Sequence, residues 1–164
     1  MDSVTRRGVL AAAGATALGG CAGVSRNLPF FGQEVKPNPD GKRTFIANIK
    51  DTKTVPPGSH AAWQFTSEEY TAISYTVEAE SEYDLDFFGM KKSEFEKYKA
   101  GKKFGYATNL SQMNTEGAEV TGKWYPPATY VIVADNTSAG GAVPPDYASE
   151  LDDPTITMDL RAWV

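Results

Sequence analysis

The chain has 164 residues, 16 of them basic and 21 acidic, for a net charge of −5. It reads as mildly acidic without a basic cluster, which argues against nucleic acid and against anionic lipid as the main partner. With one cysteine and one histidine, an internal disulfide and a histidine-based zinc site are both excluded, so burial must hold the fold.

The chain opens Met1-Asp2-Ser3-Val4-Thr5-Arg6-Arg7-Gly8-Val9-Leu10, and no charge follows from Gly8 to Ser25. A charged start, a short apolar run and small residues are the layout of an export signal. The run is mostly Ala and Gly, whereas a permanent span wants about 20 strongly apolar residues. Arg6-Arg7 ahead of Val9-Leu10 resembles the twin-arginine signal of prokaryotic, including haloarchaeal, exported proteins. The resemblance implies a passenger that folds before export. Leu18-Gly19-Gly20-Cys21 is similar to a lipoprotein box, which implies that Cys21 takes lipid and becomes the new N-terminus. Acylation also accounts for a lone cysteine in an exported chain. Two alternatives stay open: Ala15-Thr16-Ala17 suits an ordinary signal peptidase, or the segment stays on as an uncleaved anchor.

Three regions follow. Residues 1–20 are the signal, 21–42 a lipidated N-terminus and flexible tether, and 43–164 one β-rich domain. Without the signal, 144 residues remain, with 14 basic and 20 acidic, enough for an ordinary core. The tether holds Pro29, Pro37, Pro39, Gly23, Gly32 and Gly41, the punctuation of irregular chain. A coil of about 20 residues reaches about 25 Å, so the domain stays near the membrane.

The domain's elements run as follows. Phe45 to Ile49 opens it. His60 to Phe65 follows the turn Pro56-Pro57-Gly58. From Thr71 to Ala79 the residues Thr71, Ile73, Tyr75, Val77 and Ala79 share one face, while Ser74, Thr76, Glu78 and Glu80 share the other, a strand with a wet side. Leu85 to Phe88 runs apolar after Glu82-Tyr83-Asp84. Ser93-Glu94-Phe95-Glu96 has the form of a capping box, Lys97 and Lys99 suit a last turn and Gly101 suits a stop. Together they predict one short helix, about residues 93–100, lying across one end of a sheet. Ala118 to Trp124 and Tyr130 to Ala134 are two more strands, the latter after Pro126-Pro127-Ala128. At the end, Ile156, Met158, Leu160, Ala162 and Val164 share one face, and Thr155, Thr157, Asp159 and Arg161 share the other. Short strands at this spacing predict a mainly β fold, an antiparallel β-sandwich with one short helix.

Two stretches carry a further likeness. Tyr83-Asp84-Leu85-Asp86-Phe87-Phe88 leads into Ser93-Glu94-Phe95-Glu96-Lys97-Tyr98-Lys99-Ala100-Gly101. Gly122-Lys123-Trp124-Tyr125-Pro126-Pro127-Ala128 leads into Thr129-Tyr130-Val131-Ile132-Val133-Ala134-Asp135-Asn136-Thr137. Together they resemble the GOLD-like (emp24-type) β-sandwich domains of exported prokaryotic proteins, over roughly residues 43–164. The family usually has Gly where Ala128 stands. The resemblance implies an interaction module and brings no catalytic residues.

Chemistry-bearing groups are few. His60 has no nucleophile elbow or mature-chain cysteine to serve, so an exposed strand residue is expected. Glu78, Glu80, Glu82, Asp84 and Asp86 share one parity and would line up on an unbroken strand. Glu80, Asp84 and Asp86 are thus weak calcium candidates, set against a solvated outer face. Asp135-Asn136-Thr137-Ser138 reads as a turn. Asn109 and Asn136 head N-glycosylation sequons expected on surface loops. Trp63, Trp124, Tyr125 and Tyr130 are expected to be mostly core, with a sugar-stacking platform as the alternative.

The reading is a non-enzymatic interaction or structural module. It is held by lipid on Cys21 at the outer face of the cytoplasmic membrane and needs no cofactor and no nucleic acid. Its protein partner is not named by the sequence. A solute- or glycan-binding lipoprotein is the alternative, and a small extracellular hydrolase the second alternative.

Overall fold

A computed structural model describes residues 44–164. The expected signal and tether, with Arg6, Arg7 and Cys21, lie outside the described residues. The domain is mainly β, two antiparallel four-stranded sheets with one short helix. Its elements are β1 (Phe45–Thr54), β2 (Ser59–Ser67), β3 (Thr71–Glu80), β4 (Leu85–Lys91), α1 (Lys92–Lys99), β5 (Gln112–Thr115), β6 (Gly117–Tyr125), β7 (Ala128–Asn136) and β8 (Thr155–Trp163). Sheet 1 has the order β1-β8-β3-β6 and sheet 2 the order β2-β7-β4-β5.

Alternation builds the core between them. Ile73, Tyr75 and Val77 of β3 and Ile156, Met158, Leu160 and Ala162 of β8 face Phe87, Ile132 and Ala134 of sheet 2. Side chains of this size contribute about 1.5–3 kcal/mol each when fully buried. Tyr75 is buried without loss because its hydroxyl donates to Leu110 O at 2.7 Å. The two sheets are also joined where Trp63 Nε1 of β2 donates to Asp51 Oδ2 of β1 at 2.9 Å.

Sheet 2 is covered on both faces. Its outer side carries a second apolar cluster of Phe88, Met90, Val131 and Val133, roofed by Phe95 and Tyr98 of α1 and by Phe104 and Tyr106 of the following loop. This explains why β7 is buried without interruption from Tyr130 to Asn136. The helix therefore lies flat on a sheet face and not across a sheet end, because sheet 2 has apolar residues of both parities to bury.

The helix also starts differently from the sequence expectation. Its first residue is Lys92 and its N-cap is Lys91, with no side-chain cap, so Ser93 and Glu96 form no capping box. Glu94 instead reaches out of the first turn to accept from the Gly105 amide at 2.7 Å, pinning the loop that roofs the second cluster. The C-terminus is as expected. Gly101 sits at φ 63°, Lys102 N donates to Lys97 O and Gly101 N to Tyr98 O, the paired bonds of a Schellman stop.

Among the described residues no helix is long and apolar enough to cross a membrane. Thr44 and Val164 exchange backbone hydrogen bonds, so the chain enters the domain beside the end of β8.

Candidate functional site

Two faces gather chemistry-bearing residues. The first is the outer side of sheet 2. Residues opposed across antiparallel strands project to the same side. His60 of β2 pairs with Asp135 of β7, and Asp135 pairs with Asp86 of β4, so the three form one row beneath α1. Asp86 is 0% exposed and Asp135 1%. Asp86 Oδ1 accepts from Asn114 N and Oδ2 from Ala142 N, both at 2.9 Å. Asp135 Oδ1 accepts from Tyr98 Oη at 2.6 Å, while its Oδ2 has no hydrogen-bond partner among the described residues.

The electrostatics divide the pair. Burial pushes the Asp135 carboxyl up to about 6, against the hydrogen bond from Tyr98, and the neighbouring Asp86 charge pushes the same way. Burial raises Asp86 as well, but amides from Ala142, Asn114 and Gly141 pull it back. Asp86 thus has three amides favouring its charged form, while Asp135 takes up its proton as pH falls through about 6. The same environment raises the Tyr98 phenol, through burial first and Asp135 second.

This acid pair is sealed. A side chain at Gly140 would run into Asp86 Oδ2 and the Phe88 ring, so the 137–142 loop lies directly on the carboxyl. General acid–base work needs substrate within hydrogen-bond reach of the carboxyl, and backbone fills that space here. His60 keeps an exposed place, as expected. Its ring packs edge-on against Tyr98 and Phe95, at 5.1 and 5.6 Å between centroids, and burial lowers its pKa. No hydrogen bond joins it to Asp135 among the described residues.

The calcium row does not form. Glu80 ends β3 in sheet 1, Asp84 is exposed in the connection, and Asp86 lies buried in sheet 2. The strand breaks after Glu80 and crosses between sheets, so common parity means nothing beyond that point. Among the described residues no three His, Cys, Asp or Glu side chains gather as a metal would need.

The sequons also land differently. Asn136 is not in a surface turn: it ends β7, buried, and its Nδ2 donates to Val55 O at 2.8 Å and Tyr83 Oη at 3.0 Å. Asp135 likewise belongs to the strand. Both lie in the strand because the β2 ladder continues past Ala134, pairing His60 with Asp135 and Ser59 with Asn136. Asn109 sits half-buried in the short 3-10 turn Thr108–Leu110.

The second face is the outer side of sheet 1. Phe45 opposes Trp163, Trp163 opposes Ala72, and Ala72 opposes Trp124, so these four residues form one row across β1, β8, β3 and β6. Phe45 is 56% exposed and its ring meets Trp163 edge-on at 6.2 Å. Ala72, between the two tryptophans, is 1% exposed. One step along the strands comes a polar row of Asn48, Arg161 and Ser74. Arg161 is held in place by Asp159, with Nε to Oδ1 at 3.2 Å and Nη2 to Oδ2 at 3.1 Å. Of the four aromatic candidates, Trp63, Tyr125 and Tyr130 are core and Trp124 is on this face. The sequence reading missed Trp163, although it shares the outward parity of Asp159 and Arg161.

A basic concentration was also missed. Lys91, Lys92, Lys97, Lys99, Lys102 and Lys103 are six of the eleven lysines, and they lie on α1 and its flanks. Lys97 and Lys99 are paired with Glu94 and Glu96.

No family model matches the chain, and no curated protein matches it. Matches among solved structures include the pre-peptidase C-terminal domain of a collagenase from Bacillus anthracis. It has 15% sequence identity and a TM-score of 0.45, covering 69% of this chain and 88% of that one.

Proposed function

We propose that this chain is an exported, lipid-anchored, non-catalytic binding module working at the outer face of the cytoplasmic membrane. The observation that carries the non-catalytic reading is the sealing of Asp86 and Asp135 under α1 and the 137–142 loop. The acid pair with the strongest chemistry among the described residues is spent on holding the fold. The chemistry left at the surface among the described residues is the aromatic and polar rows on the outer side of sheet 1. The export and anchoring parts rest on Arg6-Arg7 and the Leu18–Cys21 box, and the likeness to GOLD-like domains supports an interaction role.

Capture from detergent-solubilised membranes with Cys21 intact, followed by mass spectrometry, tests the binding role. The expected result is a reproducible co-purifying molecule lost on substitution within the Phe45–Trp163–Trp124 row. Recovery of the chain alone would count against an interaction module.

A further inference from the structure

We infer that the outer face of sheet 1 is a carbohydrate-binding platform, with Trp163, Trp124 and Phe45 as the stacking surface and Asn48, Arg161 and Ser74 as the hydroxyl-reading row. The inference rests on the binding role proposed above and names the class of ligand. Neighbouring strands lie about 4.8 Å apart, so the aromatic row across four strands runs about 14 Å. That length suits an extended oligosaccharide of a few rings. One face of a pyranose is a patch of C–H bonds, which settles on the π-face of an indole, while its rim is a ring of hydroxyls. A ligand of that build needs an apolar strip bordered closely by fixed polar groups. This face supplies both: Trp124 and Trp163 flank the small Ala72 on the neighbouring strands, and Arg161 is clamped by Asp159 in a fork of two hydrogen bonds.

Local charge separates this ligand from a bilayer. Among the described residues Lys50 and Arg161 share Asp159, and the exposed Glu78 and Glu119 stand on the same side of β3 and β6. A surface for anionic lipid would present unpaired cations there. A neutral glycan asks for neither sign in excess.

The test uses the full mature chain in detergent with a panel of cellulose, chitin, xylan and mannan, read by retention and by tryptophan fluorescence on titration with their soluble oligomers. The expected result is retention on at least one polymer. Affinity should fall tenfold or more in Trp163→Ala and in Trp124→Ala, and should be partly restored in Trp163→Phe. Far-ultraviolet circular dichroism confirms that each variant is folded, and Trp163→Phe covers the case in which the alanine variant is not. No retention on any polymer, or retention unchanged in all three variants, overturns the glycan assignment. Binding to phosphatidylcholine vesicles that is lost in Trp163→Ala, without polymer binding, also overturns it and leaves the face as a membrane-docking surface. Membrane capture of another protein that survives every substitution in the row would instead remove this face from the proposed binding role.

Discussion

Asp86 of β4 and Asp135 of β7 stand directly opposite each other beneath α1, both shut away from solvent. Asp86 is held by backbone amides and Asp135 by the Tyr98 hydroxyl. The pair ties together sheet 2, the helix, the β5 edge and the 137–142 loop. Its ionisation should therefore set how firmly the roof of the second cluster stays closed.

The pH dependence follows from Asp135, whose pKa rises from 3.8 to about 6 in the folded chain. The unfolded chain releases this proton near pH 4, so the group's contribution is full below that and is lost as pH rises through about 6. The whole effect is on the order of 3 kcal/mol, at about 1.4 kcal/mol per pKa unit. Asp135→Asn keeps the acceptor for Tyr98 and cannot ionise. Urea unfolding should show the native chain weakening between about pH 4 and 7, while the variant changes less and is the more stable of the two at pH 7.5. Equal slopes would mean that another group carries the dependence.

Tyr98→Phe removes the donor from a buried carboxylate. Leaving such an acceptor unmet costs about 1–3 kcal/mol. The loss should be larger at pH 7, where Asp135 is ionised, than at pH 4, where it is protonated. Urea midpoints at both pH values check this, and a loss independent of pH would reduce Tyr98 to a packing role.

Sequence made the two-sheet fold readable because alternation is a local property. Ile73, Tyr75 and Val77, and Ile156, Met158 and Leu160, declare their face within a few residues. The short strand β5 stayed hidden: four residues with two pairings to β4 carry too little pattern. The third layer stayed hidden for a different reason. Val131 and Val133 face the roof while Ile132 and Ala134 face the core, and a continuous apolar run does not say that both sides are covered. Asp135 reads as a turn residue because nothing nearby in sequence announces Tyr98. The aromatic row was half legible: Trp124 stood out as a residue type, whereas its alignment with Trp163 and Phe45 depends on strand order, which no local pattern contains.

Gly140 is required by close approach. A side chain there meets Asp86 Oδ2 and Phe88, and overpacking of this kind costs about 1–3 kcal/mol. Gly140→Ala should lower the thermal midpoint and speed amide exchange at Ala142, whose N–H bonds the same carboxyl. Unchanged exchange at Ala142 would show that the loop yields without releasing Asp86.

Asn136 should carry no glycan. Its amide nitrogen is committed to Val55 O and Tyr83 Oη inside the fold, so the folded chain offers no access to it. Intact-mass measurement of protein from a glycosylating host should show Asn136 unmodified, and Asn136→Ala should cost about 1–3 kcal/mol in urea unfolding. A glycan at Asn136 in folded protein would contradict this placement.

The anchoring claim depends on one residue, and one measurement addresses it most directly. The chain is extracted from membranes, digested, and its N-terminal peptide examined by mass spectrometry. The account predicts a peptide that begins at Cys21 and carries acyl chains, with Gly20 and everything before it removed. An unmodified Cys21 lying inside a peptide that still continues back through Gly20 would contradict it.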